Sequence, residues 1–67
     1  MTYEVETFKK VDGTLKSISK SVTDDPEWAI ETEVEMHGLG KLLAQSKGAS
    51  GTMLFEHGRI NYSKVKE

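Results

Sequence analysis

The sequence predicts a small α+β domain, with a mostly antiparallel β-sheet and one short helix packed on one face of that sheet. Two X-Gly dipeptides lie between runs of alternating apolar and polar residues, and a leucine-rich segment has helical spacing. The predicted order of elements is βββαββ. The chain has 67 residues, so residues 1–67 are expected to form a single domain. A domain of this size buries roughly 60% of its unfolded surface, so a well-patterned core or oligomerisation must stabilise it.

The first two predicted strands form a hairpin over residues 3–22. Asp12-Gly13 indicates the turn, because a type I′ turn needs positive φ at both central residues. This turn places Val11 opposite Thr14. In that register the apolar residues on the predicted core face are Tyr3, Val5, Ile18 and Val22.

The next stretch, AIETEVEMHG at residues 29–38, fits a third strand because its apolar and acidic residues alternate. Its apolar face would include Trp28, Ile30 and Val34. Its acidic face would carry Glu31, Glu33 and Glu35. We therefore expect Trp28 in the core. An exposed Trp28 would instead indicate an interface anchor, since aromatic residues dominate binding hot spots.

A helix is the alternative for this stretch, and it would change the order to ββαββ. Asp24 or Asp25 would cap such a helix, and Pro26 suits its first position. The helix, however, would stack Glu27 and the glutamates four and eight residues further on along one face, with no compensating base. We favour the strand for that reason.

A leucine-rich helix and a second hairpin follow. Three leucines at helical spacing predict a helix from about Leu39 to Lys47, with Gly48 as its C-terminal cap. His57-Gly58 predicts the turn of the hairpin. Two apolar cross-strand pairs would then share one face: Phe55–Ile60 and Met53–Tyr62. Residues 64–67 are expected to fray.

The charges of the chain are unevenly distributed. Residues 24–37 hold six acids and no Lys or Arg, a net −6, whereas residues 1–23 carry +1 and residues 38–67 carry +3. The acids are Asp24, Asp25, Glu27, Glu31, Glu33 and Glu35. An acidic face of this kind suits a basic protein partner, because it imitates a row of phosphates and accelerates encounter. The plainer interpretation is a solvated strand face that protects a sheet edge.

A second candidate site consists of the glycine-containing loops. Gly38, Gly40 and Lys41 would stand at the start of the predicted helix, where free backbone N–H groups can bind a phosphate. Ser50 lies in the similar loop SKGASGT. The spacing matches neither a Walker motif nor G-x-G-x-x-G. The loops therefore indicate a small-ligand or nucleotide site, formed at a dimer interface, only as an alternative.

Catalytic and metal chemistry have little support in the sequence. His37 and His57 are the only histidines and cysteine is absent, whereas a metal site needs three or four ligands. A domain of this length has little room for a catalytic pocket. We expect no enzymatic activity, no metal and no cofactor.

Nucleic acid and membranes are also unfavourable partners. Four lysines lie on the first hairpin, and β-ribbons can contact DNA; they are Lys9, Lys10, Lys16 and Lys20. The chain is acidic overall, however, and has no aromatic-rich stacking motif. No apolar run approaches the roughly 18 residues of a membrane span. The N-terminus lacks the pattern of a secretion signal, so we expect a cytoplasmic protein.

One segment resembles a known family. The stretch LLAQSKGASGTMLFEHGRI, residues 42–60, resembles the helix-then-hairpin part of PATAN-type bacterial signalling domains. The shared features are a leucine-rich segment, a break of small residues and a Gly-Arg-Ile turn. The resemblance covers less than a third of the chain, and no functional residue is carried over from it.

These observations predict a small non-enzymatic binding or regulatory protein that contacts a basic protein partner through its acidic face. An inhibitor encoded by a phage or mobile element would have this character. Because the core is thin, we also expect a homodimer formed through sheet edges or the helix face.

Overall fold

The computed structural model describes residues 2–46 and 48–65, which form one five-stranded sheet with one helix. In chain order the elements are β1 (Tyr3–Val11), β2 (Thr14–Thr23), α1 (Pro26–His37), β3 (Leu42–Gln45), β4 (Ser50–Phe55) and β5 (Gly58–Lys64). The strands lie in the order β2-β1-β5-β4-β3, and every neighbouring pair is antiparallel. The small antiparallel α+β class is therefore confirmed, but the order is ββαβββ rather than βββαββ.

The helix occupies the acidic stretch, so the strand predicted there is wrong. Asp25 caps α1, with its Oδ1 accepting a hydrogen bond from the Trp28 backbone N–H over 3.2 Å. Pro26 takes the first helical position, where its missing N–H costs nothing. At the other end Gly38 adopts a left-handed conformation and donates its N–H to the Val34 carbonyl.

The stretch predicted as a helix forms an edge strand and a turn instead. Leu39 is fully buried and belongs to the core, and its carbonyl accepts a hydrogen bond from His57 N–H over 2.9 Å. Leu42 lies opposite Phe55 on β4, and both Leu42 and Leu43 are exposed. The leucines do not form one helical face because backbone pairing with β4 takes precedence over their spacing. Lys47, the predicted end of the helix, lies outside the described residues.

The core lies between α1 and the sheet. Its buried apolar members are Val5, Ala29, Ile30, Leu39, Phe55 and Ile60. Val34, Met53 and Tyr62 pack against this cluster while partly exposed. α1 packs mainly on β1. The prediction that Trp28 belongs to the core is wrong, because the helix turns that side chain outward and leaves it 63% exposed.

The first hairpin has the predicted turn but not the predicted register throughout. Asp12 and Gly13 both have positive φ, and Val11 pairs with Thr14 as expected. A register shift between Thr7 and Phe8 leaves Ile18 without an opposing residue. Beyond this bulge the β2 side chains facing the helix are Ser19, Ser21 and Thr23, and Val22 turns to the other face.

The second hairpin turns at Glu56-His57, one residue before the predicted dipeptide, so Phe55 pairs with Gly58 and Met53 with Ile60. This register differs from the predicted one by two residues. A shift of two keeps every side chain on its own face. The predicted apolar face therefore survives the error in pairing.

The described C-terminal residues are hydrogen-bonded. Lys64 N–H donates to the Ala49 carbonyl over 2.9 Å, and Val65 N–H donates to the Thr2 carbonyl over 2.8 Å. The remainder of the segment expected to fray, residues 66–67, lies outside the described residues. Within residues 2–46 and 48–65, the single helix is too short and polar to cross a membrane.

Candidate functional site

Five of the six predicted acidic residues lie on the exposed side of α1 or just before it. In a helix, residues four apart stand above one another on the same side. Glu27, Glu31 and Glu35 therefore form a row along α1, and all three are exposed. Asp24 and Asp25 extend the negative charge at the N-terminal end of the helix. We call these five residues the acidic ridge.

Glu33 is separated from the acidic ridge because it points towards the sheet. Its side chain is only 12% exposed, and its Oε1 accepts a hydrogen bond from the Ser19 hydroxyl over 3.0 Å. Its Oε2 lies 2.8 Å from His37 Nε2, an ion-pair distance that does not have the geometry of a hydrogen bond. Glu33 attaches the helix to β2, so it is not part of a contact surface.

A groove runs between α1 and the part of the sheet that α1 leaves uncovered. Five strands about 4.8 Å apart are wider than one helix of about 10 Å diameter, so one helix cannot cover this sheet. The groove has a volume of about 540 Å³. Its helix side includes Glu27, Ile30 and Glu31. Its sheet side includes Tyr3, Met53 and Tyr62.

The groove combines an apolar floor with a negatively charged rim. The rings of Tyr3 and Tyr62 meet edge to face, with their centroids 6.4 Å apart. Met53 adds a flexible apolar side chain to the same floor. Glu27 and Glu31 belong both to this groove and to the acidic ridge. The arrangement can receive a side chain with an apolar stem and a cationic end, since aromatic faces and carboxylates both attract cations.

The outward side of α1 also carries apolar groups. Trp28 is 63% exposed and Met36 is 66% exposed. Thr32 lies between them, and its hydroxyl donates to the Trp28 carbonyl over 2.8 Å. The exposed Trp28 meets the condition under which the sequence predicted an interface anchor.

The residues of the predicted ligand site do not lie together. Gly38 ends α1 instead of preceding a helix, so carbonyl groups rather than free N–H groups face this loop. The Lys41 N–H already donates to Glu56 Oε1 over 2.8 Å. Gly40 is close to the turn of the second hairpin, whereas Ser50 begins β4 at its opposite end.

The four lysines of the first hairpin are divided between the two faces of the sheet. Lys9 pairs with Lys16 on one face, while Lys10 and Lys20 lie on the other. The hairpin therefore presents no single basic stripe. In the part of the chain that the structure describes, no group of three or more His, Asp or Glu side chains could hold a metal ion.

Sequence reasoning identified the acids of the groove but not its floor. Tyr3, Met53 and Tyr62 come from three strands, and no spacing in the sequence shows that a helix would leave them uncovered. A helix predicted at residues 26–37 would have separated Glu33 from the other glutamates, since Glu33 does not share the helical spacing of the exposed row.

Comparisons with protein-family models, with curated proteins and with solved structures find no match for this chain. The stretch that resembles PATAN-type domains, residues 42–60, contains β3, β4 and the beginning of β5. It therefore lacks the helix on which the resemblance depends.

Proposed function

We propose that the protein is a non-enzymatic binding protein that takes a basic segment of a partner protein into the groove beside α1. The observation that carries this proposal is the position of Glu27 and Glu31, which stand on the rim of an apolar groove. A partner segment rich in Lys or Arg would place its cationic ends at these carboxylates.

Charge complementarity supports a basic partner over other polypeptides. Residues 24–37 hold no Lys or Arg, so no base of the helix neutralises the acidic ridge. Acidic segments would be repelled by the same residues. Complementary charge also raises the rate of encounter, and this contribution weakens as salt is added.

The floor of the groove supports a segment with apolar character as well. Met53, Tyr62 and Tyr3 offer apolar and aromatic surface that the described residues leave open. Lys and Arg bury their methylene stems against such surface while the charged ends remain in water. A segment that alternates basic and aliphatic residues would use both the floor and the rim.

The test measures binding of two synthetic peptides of equal length, one alternating Lys with Leu and the other alternating Glu with Leu. Isothermal titration calorimetry at low and high salt should show binding of the basic peptide only, weakened by salt. The double variant Glu27→Gln/Glu31→Gln should weaken it at least tenfold, which corresponds to about 1.4 kcal/mol.

The matched control removes the same charge outside the groove, as Asp12→Asn/Glu35→Gln, and should weaken the basic peptide much less. Met53→Ala should weaken binding without changing its salt dependence. Equal affinity of the two double variants, or equal binding of the two peptides, would show that the groove does not select a basic partner.

Inhibition is the regulatory role that follows from this proposal. A protein that binds nucleic acid through a basic surface loses that activity when an acidic protein covers the surface. If the proposed binding occurs on such a surface, this chain acts as an inhibitor of the kind that a phage or mobile element could encode. The test compares the partner's nucleic-acid binding in the presence of wild type and of the Glu27→Gln/Glu31→Gln variant. Wild type should abolish this binding, whereas the variant should leave it intact.

The small-ligand alternative has less support, because Gly38 and Lys41 do not meet Ser50. It predicts that a nucleotide raises the melting temperature and that Lys41→Ala removes the rise. A thermal-shift screen of nucleotides separates this alternative from the proposed protein binding.

A further inference from the structure

No helix or strand of the described residues covers the sheet face turned away from α1, and we call this the open face. In antiparallel pairs, residues opposite one another share a face. The register therefore assigns to the open face every second residue of β1: Glu4, Glu6, Phe8 and Lys10. Leu15 and Val22 of β2, Arg59 of β5 and Leu54 of β4 join them.

The open face carries several exposed apolar side chains beside its charged residues. Val22 is 62% exposed, Leu54 43% and Leu15 36%. Phe8 is partly buried, with the Arg59 guanidinium 4.8 Å from the centre of its ring. Among residues 2–46 and 48–65, the core on the other side of the sheet has six buried apolar residues. A small domain with such a core gains much of its stability from covering a second face.

The charges of the open face are segregated along β1. Glu4 and Glu6 lie at one end, Lys10 lies at the other, and Phe8 is between them. Glu4 and Lys10 are each three residues from Thr7, the middle of the strand. Positions equally distant from the middle therefore carry opposite charges. Arg59 lies opposite Phe8 and adds a positive charge to the half that contains Lys10.

We propose that the open face binds a second copy of this chain, forming a homodimer in which the two sheets pack face to face. The two-fold axis lies in the plane between the sheets, runs perpendicular to the strands and passes β1 at the level of Thr7. Glu4 of each copy then faces Lys10 of the other, and Glu6 faces the neighbourhood of Arg59. Packed sheets are about 10 Å apart, which long charged side chains span.

The distribution of charge favours the open face over the helix side as the surface that binds a second copy. It also favours a second copy over a partner with charge of a single sign. The open face has two acids against the bases Lys10, Lys20 and Arg59, so its net charge is small and both signs are present. Two helix sides would oppose one acidic ridge to another. The existing contact of Glu4 with Lys20, 3.4 Å within one copy, is exposed and does not prevent a second ion pair. This inference is independent of the proposed groove.

A charge exchange between two variants tests the proposed dimer. Lys10→Glu gives a chain with acids at both ends of β1 on the open face, and Glu4→Lys gives one with bases at both ends. Sedimentation velocity should find wild type as a dimer and each variant alone as a monomer. An equimolar mixture should form a dimer with one copy of each, because Glu4 of the first variant then faces Lys10 of the second, and the two substituted side chains form the other ion pair in reversed sense.

Glu35→Lys, which changes a charge on the helix side, is the control and should remain dimeric. Circular dichroism shows whether each variant keeps its fold. Should either charge variant unfold, Leu54→Lys replaces it and should also give a monomer. A monomeric wild type, charge variants that both remain dimers, or a mixture that stays monomeric would each overturn the proposal.

Discussion

The hydroxyl of Ser19 on β2 donates a hydrogen bond of 3.0 Å to the Glu33 carboxylate on α1. This contact joins the only inward-facing acid of the helix to the edge strand on one side of the sheet. It ties the helix to the β2 side of the sheet, and the groove lies on the opposite side of α1, next to Met53 and Tyr62. The groove thus depends on a glutamate that does not line it.

Replacement of Glu33 should therefore destabilise the fold. Glu33→Ala removes the acceptor for Ser19 and leaves a partly buried hydroxyl unsatisfied, which we expect to cost about 1–3 kcal/mol of unfolding free energy. Glu33→Gln keeps an acceptor and should cost less. Urea denaturation compares these with Glu35→Ala, an exposed position on the same helix expected to change stability by about 0.5 kcal/mol or less. Equal losses at residues 33 and 35 would contradict the anchoring role.

The N-terminal cap of α1 should also contribute to the stability of the fold. Asp25→Ala removes the acceptor of the Trp28 N–H, and we expect a loss of about 1 kcal/mol. Asp25→Ser retains a capping oxygen and should recover most of that loss. Thermal unfolding monitored by circular dichroism gives both values. If Asp25→Ala leaves the stability unchanged, Pro26 and the tertiary contacts determine where the helix begins.

The acidic ridge should lower the stability of the helix that carries it. Glu31 has Glu27 four residues before it and Glu35 four residues after it, and each like-charge pair costs about 0.2–0.5 kcal/mol. Glu31→Gln should therefore raise the unfolding free energy. The increase should shrink at high salt, which screens exposed charges. A destabilising effect of Glu31→Gln would show that the carboxylate makes a stabilising contact.

Gly58 should not accept a side chain. A Cβ on this buried glycine would overlap the Phe8 carbonyl oxygen of β1 and lie 2.7 Å from Leu39 Cδ2. Gly58→Ala should cost about 1–3 kcal/mol, since the backbone of a neighbouring strand must move. Ser63→Ala on the exposed part of β5 is the control for chemical denaturation. Equal stability of the two variants would contradict this close packing.

Local backbone chemistry was the most predictable part of the fold. Asp12-Gly13 forms the predicted turn because positive φ at two successive residues is a requirement that few sequences satisfy. The register beyond Phe8 was not predictable, because the bulge at Ile18 depends on what each face of β2 contacts. In the second hairpin, the face on which each side chain lies was predicted correctly although the pairing was not. A shift of two residues left Met53 and Ile60 on the predicted face.

The helix was mispredicted because one unfavourable term was given too much weight. Like-charge pairs cost only about 0.2–0.5 kcal/mol each. A cap such as Asp25 contributes about 1 kcal/mol, and burial of a side chain such as Ile30 about 1.5–3 kcal/mol. Capping and burial together therefore exceed the repulsion.

The sequence by itself determined the two hairpins, the α+β class and the concentration of acids in one segment, because these depend on neighbouring residues. Only the tertiary structure decided that Glu27 and Glu31 border a groove while Glu33 is turned inward. It also decided which side chains form the floor of that groove and which form the open face. These choices depend on where one helix lies on five strands, and contacts between residues distant in sequence determine that position.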